Sequence, residues 1–172
     1  MDLKAHIRQI PDFPKPGILF YDISTLLAHG PAWRETVDRV ADAVRAYRPD
    51  LLAAIESRGF IFAAPVAYQL GIGFTMVRKV GKLPGAVVSH AYDLEYGSDT
   101  LQVAEGLIPA GSRVVLIDDL LATGGTAQAA VELIRKVGAE VVGAVFLIEL
   151  MGLKGRSRLG VPMTTLLGYE GG

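Results

Sequence analysis

At 172 residues the chain has the length of one domain and enough of it to bury a sizeable core. Its 17 basic and 18 acidic residues leave a formal net charge of −1, without the basic excess of a nucleic-acid binder, and the absence of cysteine excludes disulfides and thiolate metal sites. Hydrophobic residues make up 51%, yet no apolar run reaches the ~18 residues of a membrane span, and "MDLKAHIRQI" has no apolar signal core, so a cytoplasmic protein without membrane or nucleic-acid partners is expected.

In chain order, "FPKPGILFYDIS" (13–24) opens on prolines and a glycine and reads as a loop or short irregular arm. Gly30-Pro31 then starts a helix, with Trp33, Val37, Val40, Ala41 and Val44 at helical spacing. "LLAAI" (51–55) is a short buried strand stopping at "ESRG", "FIFAAPVAYQL" a helix closed by Gly71, and "FTMVRK" (74–79) another strand. Residues 80–100 change character: the stretch is rich in glycine and "VVSHAYDLEY" roughly alternates, which predicts a flexible hairpin projecting from the domain. A strand over 113–118, a turn, a helix over 125–137 and a strand over 141–149 follow, the last containing the lone acid Glu149. A short helix near 153–159 and a final strand, "TTLLGY", complete the chain. Nearly all-apolar strands alternating with helices indicate a doubly wound α/β fold, its parallel sheet covered on both faces.

The stretch "VVLIDDLLATGGTAQAA" (114–130) carries the chemistry. In such sheets ligands sit beyond the carboxyl ends of the strands. Ala122 to Thr126 form a tight turn into a helix, whose converging N–H groups and positive end suit a phosphate. Gly124 and Gly125 permit positive φ and close backbone approach, while Thr123 and Thr126 offer hydroxyls. The turn is neither a Walker loop nor G-x-G-x-x-G. Asp118 and Asp119 just before it can accept hydrogen bonds from a diol such as a ribose. An ordinary turn with a solvated acid pair and a magnesium site are the alternatives. Charge at a buried strand end is costly without a partner, and the adjacent phosphate turn favours a ribose 5-phosphate.

This stretch resembles the phosphoribosyl pyrophosphate signature of the type I phosphoribosyltransferases. In that family the acids hold the ribose hydroxyls and the turn holds the 5′-phosphate. "FPKPGILFYDIS", "ESRGFIFAAPVA", "VRKVGKLPG" and "YDLEYGSDTLQV" look like segments of its adenine-specific members, in the same order, so the likeness runs from Ile10 to Glu170. It implies a single domain over 1–172, with a base-binding hood at 10–30 and a flexible lid at 80–100. The reaction it implies joins adenine to phosphoribosyl pyrophosphate and gives AMP and pyrophosphate. Mg2+ would be held mainly by substrate and water, with no direct protein ligand.

The implied chemistry makes three demands. A leaving pyrophosphate needs cations, and Arg58, Arg78, Lys79 and Lys82 supply them. An anomeric carbon developing positive charge needs shelter from water, for which the hairpin, hinged by Gly81, Gly85 and Gly97, is the expected lid. Tyr96 would pack over the closed site, and the resemblance places the catalytic glutamate at Glu95. Adenine must be told from other purines, a task given by resemblance to backbone groups of Leu19 and stacking by Phe20. Tyr21 stands where many relatives carry a basic residue, and it is left out of the site. The family likeness further implies a cis peptide between Glu56 and Ser57, and a homodimer in which Arg78 serves the neighbour's pyrophosphate site. His6, His29 and His90 show no ligand spacing. A xanthine or hypoxanthine/guanine transferase, or a non-catalytic regulator sensing phosphoribosyl pyrophosphate, are the competing readings.

Overall fold

The structure is a computed structural model that describes residues 1–94 and 96–171. After a 3-10 turn at Leu3–His6 the chain forms β1 (Arg8–Pro11), β2 (Leu19–Asp22), α1 (Ser24–Ala28), α2 (Gly30–Arg45), β3 (Leu51–Ile55) and α3 (Arg58–Leu70). β4 (Gly73–Lys79), β5 (Val87–Asp93), β6 (Ser98–Ala104), β7 (Arg113–Leu121) and α4 (Gly125–Lys136) follow. β8 (Glu140–Leu150), a 3-10 turn at Met151–Leu153, α5 (Arg156–Leu159) and β9 (Met163–Tyr169) end it. No helix among the described residues is long and apolar enough to cross a membrane.

Five strands lie parallel in the order β4-β3-β7-β8-β9. Successive side chains of a strand point to opposite faces, so a wholly apolar strand must be covered on both. On one face Leu52, Ile117 and Leu147 pack with Val40 and Val44 of α2 and Phe62 and Val66 of α3. On the other, Ala53, Leu116 and Phe146 pack with Ala130, Leu133 and Ile134 of α4. This is the doubly wound fold expected from the sequence.

Four expectations need correction. The hairpin is longer and less detached than the glycine content suggests: β6 pairs antiparallel with β4 through Arg78↔Gln102 and Lys79↔Leu101, and β5 pairs with β6. Leu101 and Val103 are fully buried, so β6 extends the sheet to the order β5-β6-β4-β3-β7-β8-β9 and makes it mixed. Secondly, the irregular arm contains β2, which is paired antiparallel with β1. The signal was hidden because a four-residue strand behind prolines acquires its identity from a partner further toward the N-terminus. Thirdly, β7 does not stop at Asp118: pairing with β8 continues to Leu121↔Glu149 and sets both acids inside the strand's second half. The last is the expected helix near 153–159, which is split by Lys154 at φ +56° into the 3-10 turn and a short α5.

The N-terminal pair is tied down by Asp22. Its carboxylate accepts from the Ser24 N–H at 2.9 Å and meets the Arg8 guanidinium at 2.5 Å. The Ser24 hydroxyl and N–H, and then Arg8, hold the Asp22 carboxyl at about 2, below the usual 3.8. A depressed carboxyl contributes stability that is present above the unfolded-chain value and lost as pH falls through the folded one. The unfolding midpoint should therefore drop as pH goes from about 4 to about 2, and Asp22→Asn should flatten that drop. Parallel acid limbs for the two proteins in a thermal-melt series would exclude Asp22 as a contributor.

Candidate active site

The carboxyl ends of β3, β4 and β7 converge on a cleft of about 430 Å3. β3 hands over to α3 through Glu56 and Ser57, whose shared peptide is cis, as the resemblance implies. Gly59 lets the start of α3 press on β7: a Cβ there would sit 3.0 Å from the Ile117 carbonyl oxygen and 3.2 Å from Asp118 Oδ1. That approach brings Arg58 onto the acids, and its Nε donates to Asp119 Oδ2 at 2.5 Å. From β4, Arg78 donates to Glu56 at 2.7 Å and lies over the Phe60 ring at 5.6 Å. Arg78 thus lines the same cleft as Arg58 within one chain. Lys79 pairs with Asp99 of β6 at 3.0 Å, and Lys82 lines the cleft without an ion pair among the described residues.

Asp118 and Asp119 differ in environment. Asp119 is buried and held by Arg58. Asp118 keeps a partly open surface, and its Oδ1 accepts the Asp119 N–H at 2.8 Å. Desolvation, and then the neighbouring Asp119 charge, push the Asp118 carboxyl well above its usual range. It has no cation of its own among the described residues, which leaves it wanting a hydrogen-bond donor.

Beyond Leu121 the turn Ala122–Thr126 leads into α4. Gly124 holds φ +85°, and its missing Cβ would lie 2.7 Å from the Gly155 carbonyl oxygen. Gly155 is just as constrained, since a Cβ there would stand 2.3 Å from the Ala122 carbonyl oxygen. The segment before α5 therefore forms a wall behind the turn. Glu149 fixes that wall: it accepts two bonds from Arg156, at 2.7 and 3.1 Å, and one from the Thr165 hydroxyl at 2.9 Å. From the hairpin, the Tyr92 hydroxyl lies 3.4 Å from Thr126 Oγ1.

Arg58 also borders a second, mostly apolar cavity of about 380 Å3, with Phe13, Phe20, Tyr21, Ile23 and Ile61 among its walls. Phe20 is set edge-on to Phe13 at 5.1 Å. Leu19 begins β2 with its side chain exposed, outside this wall. Tyr21, left out on sequence grounds, does line the cavity while its ring packs against Tyr169 at 4.3 Å. Tyr96 is 89% exposed in the turn of the hairpin, between β5 and β6. Glu95, the expected catalytic group, lies outside the described residues.

The structure thus gathers Arg58, Arg78, Lys79, Lys82, Asp118 and Asp119 in one cleft beside the turn, with Phe20 next door. Glu56, Gly155 and Glu149 escaped the sequence reading. Glu149 carried a signal, being an acid at the end of an apolar strand like Asp118, but was noted only as the lone acid of its strand. Gly155 had none, because its partner lies 31 positions away at Gly124.

A phosphoribosyl transferase domain model matches residues 24–163. The chain is 62% identical over 170 residues to an adenine phosphoribosyltransferase of Rhodospirillum rubrum, covering 99% of each. The crystal structure of that enzyme from Thermoanaerobacter pseudethanolicus superposes with a TM-score of 0.94 at 46% identity, covering 98% of both chains. The chain belongs to the adenine phosphoribosyltransferase family. The Saccharomyces cerevisiae family member, crystallised with D-2,5-dideoxy-2,5-imino-altritol 1,6-bisphosphate and adenine, superposes with a TM-score of 0.90 at 41% identity, covering 96% of this chain and 97% of that one.

An acid whose folded value is raised contributes stability that is present below its unfolded-chain value and is lost as pH rises through the folded one, so ionising Asp118 works against the free protein. Asp118→Asn should raise the unfolding midpoint by about 2–4 °C, for a gain on the order of 1 kcal/mol. The same change should weaken a ribose 5-phosphate ligand roughly ten- to a hundredfold, through loss of a charge-assisted hydrogen bond. Calorimetry with and without ligand separates the two effects, and a variant that is both less stable and binds normally defeats the assignment.

Proposed function

We propose that this family member transfers the 5-phosphoribosyl group from phosphoribosyl pyrophosphate to adenine, giving AMP and pyrophosphate. One observation carries the reading: an acid pair and a phosphate-type turn end the same strand, and Arg58 joins their cleft to an aromatic-walled cavity. Bisphosphate and adenine together in the yeast relative support the same pairing of polar and apolar compartments.

The roles follow from the chemistry. The turn Ala122–Thr126 takes the 5′-phosphate on its N–H groups and hydroxyls, and Asp118 and Asp119 accept from the ribose hydroxyls. Arg58, Arg78, Lys79 and Lys82 take the pyrophosphate. Phosphoribosyltransferases generally use Mg2+, and the oxygen ligands beside the cleft fit it in one way. Asp119 and Glu56 are already held by arginines, so a hydrated ion arriving with the substrate suits this site better than a resident one. When bound, it neutralises pyrophosphate charge.

Phe20 stacks on adenine in the apolar cavity, and Leu19 offers backbone groups to its edge. The hairpin closes over the site about Gly81, Gly85 and Gly97, whose φ angles of +83°, +74° and +88° suit hinges. Tyr96 packs over the closed site. As N9 of adenine bonds to the anomeric carbon and the bond to pyrophosphate breaks, Glu95 accepts the N9 proton.

A second copy of the chain completes the molecule. Tyr68, 90% exposed beside Trp33, Val37 and Pro65, offers an apolar face for it. A dimeric mass is expected at micromolar concentration, and a fully active monomer would remove this part. The function itself is tested by supplying phosphoribosyl pyrophosphate, Mg2+ and each purine base in turn. Adenine should be consumed and AMP formed, whereas turnover of hypoxanthine, guanine or xanthine instead would replace the reading. In the same assay Glu95→Gln should lower kcat by roughly 10²–10⁴-fold with little change in the KM for adenine. Wild-type turnover with chemistry limiting would reduce Glu95 to a lid residue.

A further inference from the structure

The turn that receives the 5′-phosphate has no cation in its own sequence, Ala122 to Thr126. The four cations of the cleft line up with Glu56 and the acid pair instead, on the pyrophosphate side. Backbone N–H groups, a helix end and two hydroxyls orient a phosphate dianion, yet they leave most of its charge uncompensated.

One described side chain alters that balance. Arg158 projects from α5 toward the first residue of α4: its Nη1 and Nη2 lie 3.6 and 3.8 Å from where a Cβ on Gly125 would stand. Nη1 also donates to the Thr123 carbonyl oxygen, at a long 3.4 Å. Among the described residues Arg158 forms no ion pair, although Asp93 and Glu132 line the same hollow. Glu132 faces His90, 3.6 Å away. Arg156, two positions earlier, is by contrast engaged by Glu149 and Thr165. The segment is thus clamped through one arginine and leaves the other beside the turn with one long hydrogen bond and, among the described residues, no ion pair. Gly155 presses that segment against Ala122 and Gly124, so Arg158 is carried on a wall in backbone contact with the turn.

We propose that Arg158 is a binding residue for the 5′-phosphate, and that the segment from Met151 to Leu159 is the second half of the phosphate site. This rests on the phosphoribosyl transfer reading given above. A guanidinium suits the task because its planar fork presents parallel N–H donors to phosphate oxygens while bringing a full charge.

The test uses ribose 5-phosphate as probe in calorimetric titration, with steady-state kinetics on the same preparations. Arg158→Gln keeps an amide N–H for the Thr123 carbonyl and removes the charge. It should weaken ribose 5-phosphate and raise the KM for phosphoribosyl pyrophosphate roughly tenfold, with kcat and the KM for adenine within about twofold. Arg158→Lys should recover most of the loss, and high salt should shrink the difference between wild type and Arg158→Gln. Unchanged ribose 5-phosphate binding in Arg158→Gln overturns the proposal, as does a loss confined to kcat and the unfolding midpoint, which would make the segment a structural wall only. Thr126→Ala is the control. If it weakens the probe while Arg158→Gln does not, Arg158 fails and the active-site reading stands, and if neither matters the phosphate turn itself is misassigned.

Discussion

Two adjacent carboxylates stand near the carboxyl end of β7, and one guanidinium is bound to one of them. Taking such a pair out of water costs several kcal/mol unless hydrogen bonds and counter-charges answer it. Much of the surrounding construction serves that need. α3 begins with glycine at its second position so that its first turn can lie against Ile117 and Asp118, and this delivers Arg58 to Asp119. The compensation is incomplete, because Asp118 is left with the Asp119 N–H and a repelling neighbour. A site held in that state gains when a ligand brings hydroxyl donors, so part of the free protein's stability is given up for binding.

β8 ends with an acid too, and the contrast is instructive. Glu149 is 6% exposed, yet two bonds from Arg156 and one from Thr165 satisfy it, and its carboxyl is lowered first by Arg156. Its work is mechanical: it locks the chain after β8 so that Gly155 can touch Gly124. That glycine pair acts across 31 positions as a single part. Any side chain at either place would push the Ala122–Thr126 turn off its wall, since the clearances of 2.3 and 2.7 Å are to backbone oxygens that cannot step aside.

Local patterns were legible in the sequence where they were strong. β3, β7 and β8 are apolar runs ended by charge, and α2 and α4 carry helical spacing, so their positions follow to within a few residues. Asp118, Asp119 and the turn were legible for the same reason, being contiguous. Partners distant in sequence were not. β2 becomes a strand through β1, β6 joins the sheet through Leu101 and Val103, and Gly155 has meaning only against Gly124. Composition misled at the hairpin, where glycine suggested detachment while the alternating apolar residues of β6 were completing the core. Tyr21 was left out of the site by comparing its charge with relatives, and that comparison says nothing of its ring, which packs against Tyr169 while Tyr21 lines the cavity.

The charges of the cleft constrain how an anionic substrate enters. Arg58, Arg78 and Lys79 are each paired, with Asp119, Glu56 and Asp99. Lys82 is a fourth cation and Asp118 a fourth acid with a raised carboxyl, so the cleft carries at most one net positive charge to draw in a pyrophosphate. Binding on the proposed reading is therefore an exchange: phosphate oxygens replace carboxylates on the arginines, and the released Asp119 becomes free to accept a ribose hydroxyl. The exchange links the two halves of the substrate, since pyrophosphate on Arg58 prepares the acid that holds the sugar. A substrate that arrives with its charge partly neutralised by Mg2+ fits such a balanced cleft, because the protein then needs to supply direction more than charge.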